Sequence, residues 1–187
     1  MYFENKKFIS VLFDKIENQK VEFENCEFVT CDFSQQKFHS CKFIDCKFDN
    51  SNISNLKLLN CQLQNVEFIA CKMLGIDFSM CSDFLFSVTF KNCILDYSLF
   101  TKKKLVSTLF ENTSLKNVDF EECNVSKSKF DNCNLEDAHF YQSNLSETDF
   151  ETSYNYSIHP EHNKLLQAKF SSSGLEGLLQ HLKLRIV

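Results

Sequence analysis

Ten cysteines and five histidines are the residues of this 187-residue chain best equipped for chemistry. Such a set could hold zinc, form disulfides or supply a reactive thiolate. Their spacing argues against all three. The cysteines stand at 26, 31, 41, 46, 61, 71, 81, 93, 123 and 133, separated by multiples of five except from Cys81 to Cys93. No C-x-x-C pair exists, and His39, His139, His159, His162 and His181 fall in no ligand spacing around the cysteines. Zinc ligands two to four residues apart, converging on one point, are therefore missing, and we expect no metal and no cofactor. Nor does the sequence hold a G-x-S-x-G elbow, a phosphate-binding glycine loop or an H-E-x-x-H helix. We read the chain as a non-enzyme.

The cysteine spacing belongs to a wider repeat. Every fifth residue from Phe3 to Phe78 is large and apolar, with Asn18 the exception. After two inserted residues the period resumes at Leu85 and runs unbroken to Phe150, so 29 of 30 expected positions are apolar. Two residues before each centre lies a second lattice of small residues, and every cysteine sits on it. The remaining three positions of each five are mostly Asn, Asp, Glu, Lys, Ser and Gln. Such a period fits neither a helix at 3.6 nor a strand at 2. It fits a coil that turns a corner once per repeat, with one large and one small side chain inside and each layer hydrogen-bonded to the next.

That reading explains the composition: 21 Phe, no Trp, one Pro and only 3 Gly, because the repeat makes its own turns. The length suits one domain. The first ten residues carry Glu4, Lys6 and Lys7 without an apolar segment, and no stretch approaches a membrane span, so the expected compartment is the cytoplasm. The formal charge of −5 weighs against direct nucleic-acid binding.

Segments such as CEFVTCDFSQQKFHSCKFIDCKFDNSNIS and NLEDAHFYQSNLSETDF resemble the pentapeptide-repeat family, with Phe replacing many central Leu residues and Cys many Ala residues. The resemblance runs from Phe3 to about Ser153. It implies an all-β fold, a right-handed quadrilateral parallel β-helix with four pentapeptides per coil. About thirty pentapeptides would then give roughly seven coils, a tower of roughly 35 Å at the usual strand spacing. Residues 20 apart should stack in columns, placing Cys26 by Cys46, and Cys41, Cys61 and Cys81 in one file. In a reducing compartment these are expected to be free thiols packed as core.

Two breaks interrupt the pattern. The insertion falls within Ser79–Phe84, with Asp83 at what would be a core position, and Lys103 occupies another. Because a buried unpaired lysine is very costly, the corner around Thr101–Lys104 is expected to bulge outward. Both breaks read as loops on one face, with partner contact as the functional alternative.

After residues 1–153, the repeat region, we expect a cap and dimerisation segment over 154–187. Lys164–Phe170 suggests a short helix, Ser173 and Glu176 a capping box, and Leu184 with Ile186 a final short strand. An open solenoid end must be covered, by its own cap or by a second copy. Phe170, Leu175, Leu178, Leu179, Leu182, Leu184 and Ile186 are the candidate dimer-interface residues. The tail is similar to that of the Qnr-type topoisomerase-protecting proteins, through Ile158-His159-Pro160, Ala168-Lys169-Phe170-Ser171, Leu178-Leu179 and Ile186. This resemblance implies end-to-end joining of two towers.

Charge is distributed unevenly. Met1–Phe78 holds 9 Lys against 11 acidic residues, whereas Leu105–Glu151 holds 10 acidic residues against Lys116, Lys127 and Lys129. The candidate partner-binding acids are Glu111, Asp119, Glu121, Glu122, Asp131, Glu136, Asp137, Glu147, Asp149 and Glu151. Glu111, Asp131 and Glu151 are 20 apart and should stack in one column, where like charges repel unless a partner uses them. The family resemblance implies a homodimer of roughly 70 Å that mimics DNA. It would dock on the DNA-binding saddle of DNA gyrase or topoisomerase IV and protect the enzyme from inhibitors such as quinolones. A protein-binding scaffold or adaptor with an unrelated partner is the alternative.

Overall fold

A computed structural model describes residues 1–13 and 19–185; Asn18 and Ile186 lie outside the described residues. Each pentapeptide contributes one short rung, and the residue two after its centre turns the corner with positive φ. This left-handed conformation is uncommon for side-chain-bearing residues, and asparagine tolerates it best. Asn25, Asn50, Asn60, Asn65, Asn112 and Asn132 are among the corner residues, with φ between 49° and 51°. Only at Gly75 does glycine take the corner. Polar corner residues thus replace the Gly and Pro turns of other β-folds.

Four such corners close one coil of a right-handed quadrilateral parallel β-helix. One wall is a seven-stranded parallel sheet running Lys7–Ile9, Glu27–Val29, Lys47–Asp49, Val66–Ile69, Val88–Lys91, Leu109–Glu111 and Lys129–Asp131. A second wall holds Tyr2–Glu4, Glu22–Glu24, Lys42–Ile44 and Gln62–Gln64. Elsewhere the rungs meet through isolated parallel bridges such as Ile94↔Ser114 and Asn124↔Asn144. The register is 20 residues, as at Phe28↔Phe48, and becomes 22 across the insertion, at Phe68↔Phe90.

The interior is a set of vertical files. Phe8, Phe28, Phe48, Phe68, Phe90, Phe110, Phe130, Phe150 and Phe170 stack nearly face to face, with centroids 4.6–5.3 Å apart. This spacing is the rung spacing itself, so parallel register dictates aromatic stacking. Phenylalanines from opposite walls meet edge to face, as do Phe110 and Phe120 at 6.0 Å and 88°.

The small lattice is buried too, and all ten cysteines lie in the core as thiols. Most small residues with a hydrogen to give donate it to the carbonyl 23 residues earlier, or 25 where the insertion lengthens the step. Cys46 Sγ reaches Phe23 O at 3.4 Å, Ser143 Oγ reaches Phe120 O at 2.6 Å, and Thr148 Oγ1 reaches Val125 O at 2.8 Å. Cys, Ser and Thr are therefore interchangeable here, since each is small and carries a donor.

The structure departs from expectation at the breaks. Lys103 does not bulge outward. Its side chain is 3% exposed, and Nζ lies 2.6 Å from Asp83 Oδ1 and donates to Cys81 O at 2.6 Å. It also sits 5.2 Å from the Phe86 ring centroid, which adds a cation–π contact. Asp83 lies on the surface, not in the core, and turns its carboxylate onto Lys103. Leu85, expected at a core centre, is exposed at a positive-φ corner, and Phe86 packs against the core instead. The two inserted residues shift the register so that the neighbour, not Leu85, points inward.

Hydrogen-bonded rungs continue past Ser153. Asn144↔Lys164 and Asp149↔Lys169 are parallel bridges, and Phe170 closes the phenylalanine file. Lys164–Phe170 is therefore a rung and not a helix. Ser171, not Ser173, caps the first helical turn by accepting from Gly174 N–H at 3.1 Å. The α-helix itself spans Glu176–Leu179 and is followed by a 3-10 turn, Gln180–Leu182. Leu184 and Arg185 lie in no strand. Among the described residues, no helix is long and apolar enough to cross a membrane.

Candidate functional site

The acidic residues singled out from the sequence stand on the outer surfaces of the upper coils, facing more than one direction. Glu111 and Asp131 are register partners on the seven-stranded wall, and Glu151 follows one rung later. Asp119 and Glu121 lie two corners further along the coil, on the opposite wall, where Asp119 bridges Leu99 and His139.

Several acids are partly neutralised by lysines, most of them one coil away. Lys116 pairs with Glu136 at 2.6 Å, Lys102 with Glu122 at 3.6 Å and Lys127 with Glu147 at 3.9 Å. Asp131 is met by Lys129 at 2.9 Å and by the Thr152 hydroxyl at 2.8 Å. Those two hydrogen bonds hold the Asp131 carboxyl below its usual range. Asp149 accepts from the Glu151 N–H at 3.0 Å. Glu111, Glu121, Asp137 and Glu151 have no basic ion-pair partner among the described residues.

The other outward column of this wall, one residue before the phenylalanine file, is built differently in the lower coils. Lys7, Glu27, Lys47 and Glu67 alternate in register, and Lys7 pairs with Glu27 at 2.8 Å. Opposite charges on facing rungs attract; the like charges of Glu111 and Asp131 do not.

Asp119, Glu121 and His139 bring three possible metal-ligand atoms within 4.8 Å of one another. Both Asp119 oxygens are already engaged. Oδ1 accepts from Glu121 N–H at 2.8 Å and faces His139 Nδ1 at 3.4 Å, while Oδ2 accepts from the Thr101 hydroxyl at 3.1 Å. The trio is a hydrogen-bonded surface cluster.

Most of the thiols are held away from reactivity, whereas Cys41 and Cys93 are lowered by their hydrogen bonds with Cys61 and Cys71. Burial pushes Cys46, Cys123 and Cys133 up to about 12. Cys61 is raised by its hydrogen bond to Cys41 and by burial, and Cys71 likewise by Cys93 and burial. A thiol kept protonated is a poor nucleophile.

Exposed apolar side chains gather at three places, the first of them the N-terminal coil with Met1, Tyr2, Ile9 and Leu12. At the insertion, Met80, Phe84 and Leu85 are exposed. At the C-terminal end, Leu175, Leu179, Leu182 and Leu184 are exposed, while Phe170 and Leu178 are partly buried against the core. Leu166, absent from the sequence-based candidates, is also exposed there. It was missed because Lys164–Phe170 reads as a helix when the continuing rung is not known.

The model of the pentapeptide repeat region matches residues 21–82 and 84–155, two blocks that meet at Asp83 of the insertion. The chain belongs to the pentapeptide-repeat family. Its structure is similar to two trypsin-treated variants of QnrB1, a plasmid-mediated fluoroquinolone resistance protein. One matches with a TM-score of 0.65 at 17% identity, covering 100% of both chains. The other matches with a TM-score of 0.59 at 19% identity, covering 99% of both. At such identities the likeness is one of fold. No curated protein matches the chain.

Proposed function

We propose that this pentapeptide-repeat protein is a non-catalytic DNA mimic that binds a type II topoisomerase such as DNA gyrase and protects it from inhibitors of the quinolone class. The observation that carries the reading is the change of charge along the seven-stranded wall. In the outward column one residue after the phenylalanine file, Ile9, Val29, Asp49, Ile69 and Lys91 of the lower coils give way to Glu111, Asp131 and Glu151 above. Like charges one rung apart cost folding free energy, and a basic partner surface would recover it. A narrow rod carrying regularly spaced negative charge presents what a DNA-binding saddle recognises. The fold likeness to QnrB1, a fluoroquinolone resistance protein, agrees with this reading.

The test is gyrase supercoiling with a quinolone present. Purified protein should restore supercoiling, and the triple variant Glu111→Lys, Asp131→Lys, Glu151→Lys should lose at least tenfold in potency. No restoration at any protein concentration overturns the proposal.

The exposed Met80, Phe84 and Leu85 favour a second reading, a scaffold for an unrelated protein that buries this apolar tip. Capture of a non-topoisomerase partner, lost on Phe84→Ser, would select it. In either reading the protein acts as a homodimer in the cytoplasm, joined through the exposed leucines of its C-terminal end.

A further inference from the structure

Three imidazoles form a single stack where the terminal helical segment folds back on the last coil. His159 lies between His162, at a ring-centroid distance of 3.9 Å and 15° between planes, and His181, at 3.9 Å and 33°. His159 and His162 belong to the corner that follows Ile158; His181 belongs to the 3-10 turn after the α-helix. His159 Nδ1 is buried and has no hydrogen-bond partner. The stack borders an open cavity of about 410 Å³, also lined by His139, Tyr141, Ile158 and Gln180.

The two sides of the stack are anchored unequally. Asn163 Nδ2 donates to the carbonyls of His159 and Phe140 at 3.0 Å each, and Asn163 Oδ1 accepts from Ser143 N–H at 3.0 Å. These bonds tie the His159 corner to the coil beneath. The terminal segment is held by one backbone bond, from Ile158 N–H to Gly177 O at 3.0 Å, by partly buried Leu178 and by the His181 ring. Gly177 lies so close that an added Cβ would stand 2.3 Å from Tyr156 O, so the fit is tight but small in extent.

We propose that the His162–His159–His181 stack is an acid-sensitive latch that holds the terminal helical segment, 176–182, on the last coil and releases it as the rings become protonated. Neutral imidazoles stack face to face favourably, whereas adjacent imidazolium rings at this distance repel. The orphaned Nδ1 of His159 would, once protonated, be a buried donor with no acceptor. Around the stack, the His159 corner contributes Glu161 and the terminal segment contributes Glu176 and Lys183. The coil beneath contributes His139 and Tyr141, whose ring stands edge to face with His162 at a centroid distance of 5.2 Å. Glu161 opposes the effect, favouring the charged form of His159, but burial and the two neighbouring histidines outweigh it and lower His159. A group depressed in the docked state gives its full stabilisation above the free imidazole value of about 6.5 and loses it as pH falls further. Opening removes the constraint, so each proton excluded from the stack favours the open segment by up to about thirtyfold at pH 5.

Docking of this segment takes place within one chain and does not depend on the topoisomerase proposed above. Hydrogen exchange of the full-length protein between pH 7.5 and 5.0 tests it, with protection factors corrected for intrinsic exchange. The amides of Ile158 and residues 176–182 should lose protection at least tenfold at the acid end, while coil amides such as Phe110 and Leu115 keep theirs. His159→Phe and His181→Phe, which can stack but cannot take a proton, should each reduce that loss. NMR titration of the wild-type imidazoles supplies a readout that needs no variant, and His159 should stay neutral to lower pH than a free imidazole. Unchanged protection down to pH 5, an equal loss in both variants, or three histidines titrating independently near 6.5 would overturn the proposal.

Discussion

An ammonium inside a β-solenoid needs an anion and an acceptor, and Lys103 has both: the Asp83 carboxylate and the Cys81 carbonyl. Asp83 itself remains 73% exposed, so the pair is asymmetric, with one charge in the core and its counter-ion at the mouth. Removing the counter-ion leaves the lysine uncompensated; replacing the lysine with an apolar chain of similar length does not. Asp83→Ala is therefore expected to destabilise by about 2 kcal/mol, discounted from the cost of a fully buried pair because Asp83 is solvated. Lys103→Met should change stability little, and the double variant should recover most of the loss from Asp83→Ala. Urea unfolding of the four proteins checks this. Equal losses for Asp83→Ala with and without the Lys103→Met substitution would show that the pair does not couple. The small lattice follows a related rule: a core position tolerates Cys, Ser or Thr because a carbonyl of an earlier rung is placed to receive their hydrogen.

The stacked element in this fold is the file, a column of side chains rather than a helix or an isolated strand. Phe110 lies in the longest one, with parallel rings at 5.2 Å to Phe90 and 4.6 Å to Phe130, and edge-on contacts to Phe100 and Phe120. It is fully buried. Truncation to Ala opens a cavity that rungs pinned by hydrogen bonds above and below cannot collapse, and should cost about 3–5 kcal/mol. Phe110→Leu should cost about 1 kcal/mol, since other files carry Leu at the same position, as at Leu115 and Leu135. Thermal or urea denaturation separates the two. Near-equal effects would mean that ring stacking, and not filled volume, sets the stability of the file. The insertion does not disturb this element, because Phe68 and Phe90 stack at 5.3 Å across a 22-residue step.

At the scale of the whole molecule, both ends of the tower expose apolar side chains, Met1, Tyr2, Ile9 and Leu12 at the first coil and a set of leucines at the last. Leu175, Leu179, Leu182 and Leu184 are exposed around the last coil, a concentration of apolar side chains that a solvated cap does not require. Association of two copies would cover them. Light scattering is expected to find the unmodified protein dimeric and the Leu179→Lys, Leu182→Lys variant monomeric at the same concentration. A monomer in both cases would remove the dimer from the functional reading. Charge at this scale is set by pairing between coils: Lys116–Glu136, Lys102–Glu122 and Lys127–Glu147 each tie neighbouring rungs, leaving Glu111, Glu121, Asp137, Asp149 and Glu151 to define the outward field. Because like charges of adjacent rungs act together on a partner, loss of one acid should weaken inhibitor protection less than loss of the Glu111, Asp131 and Glu151 column.

The five-residue period determined the fold by itself, because each side chain's direction follows from its place in the repeat. Phe110 and Cys133 are buried, and Glu111 and Asp131 are neighbours, for reasons present in the spacing alone. The same ruler of twenty residues could have paired Asp83 with Lys103, yet cost reasoning about an unpaired lysine pointed to a bulge. Only the tertiary structure showed that the inserted loop carries the counter-ion, and that Phe86 rather than Leu85 turns inward. The candidate acids were legible as positions but not as charges, since whether a lysine reaches Glu136 or leaves Glu121 alone depends on side-chain placement. The histidine stack was not legible at all. Its spacing, 159, 162 and 181, belongs to no repeat, and the rings meet only because the terminal segment folds back onto the last coil. Periodic sequence specifies what every coil repeats; where the period ends, contacts between distant residues decide.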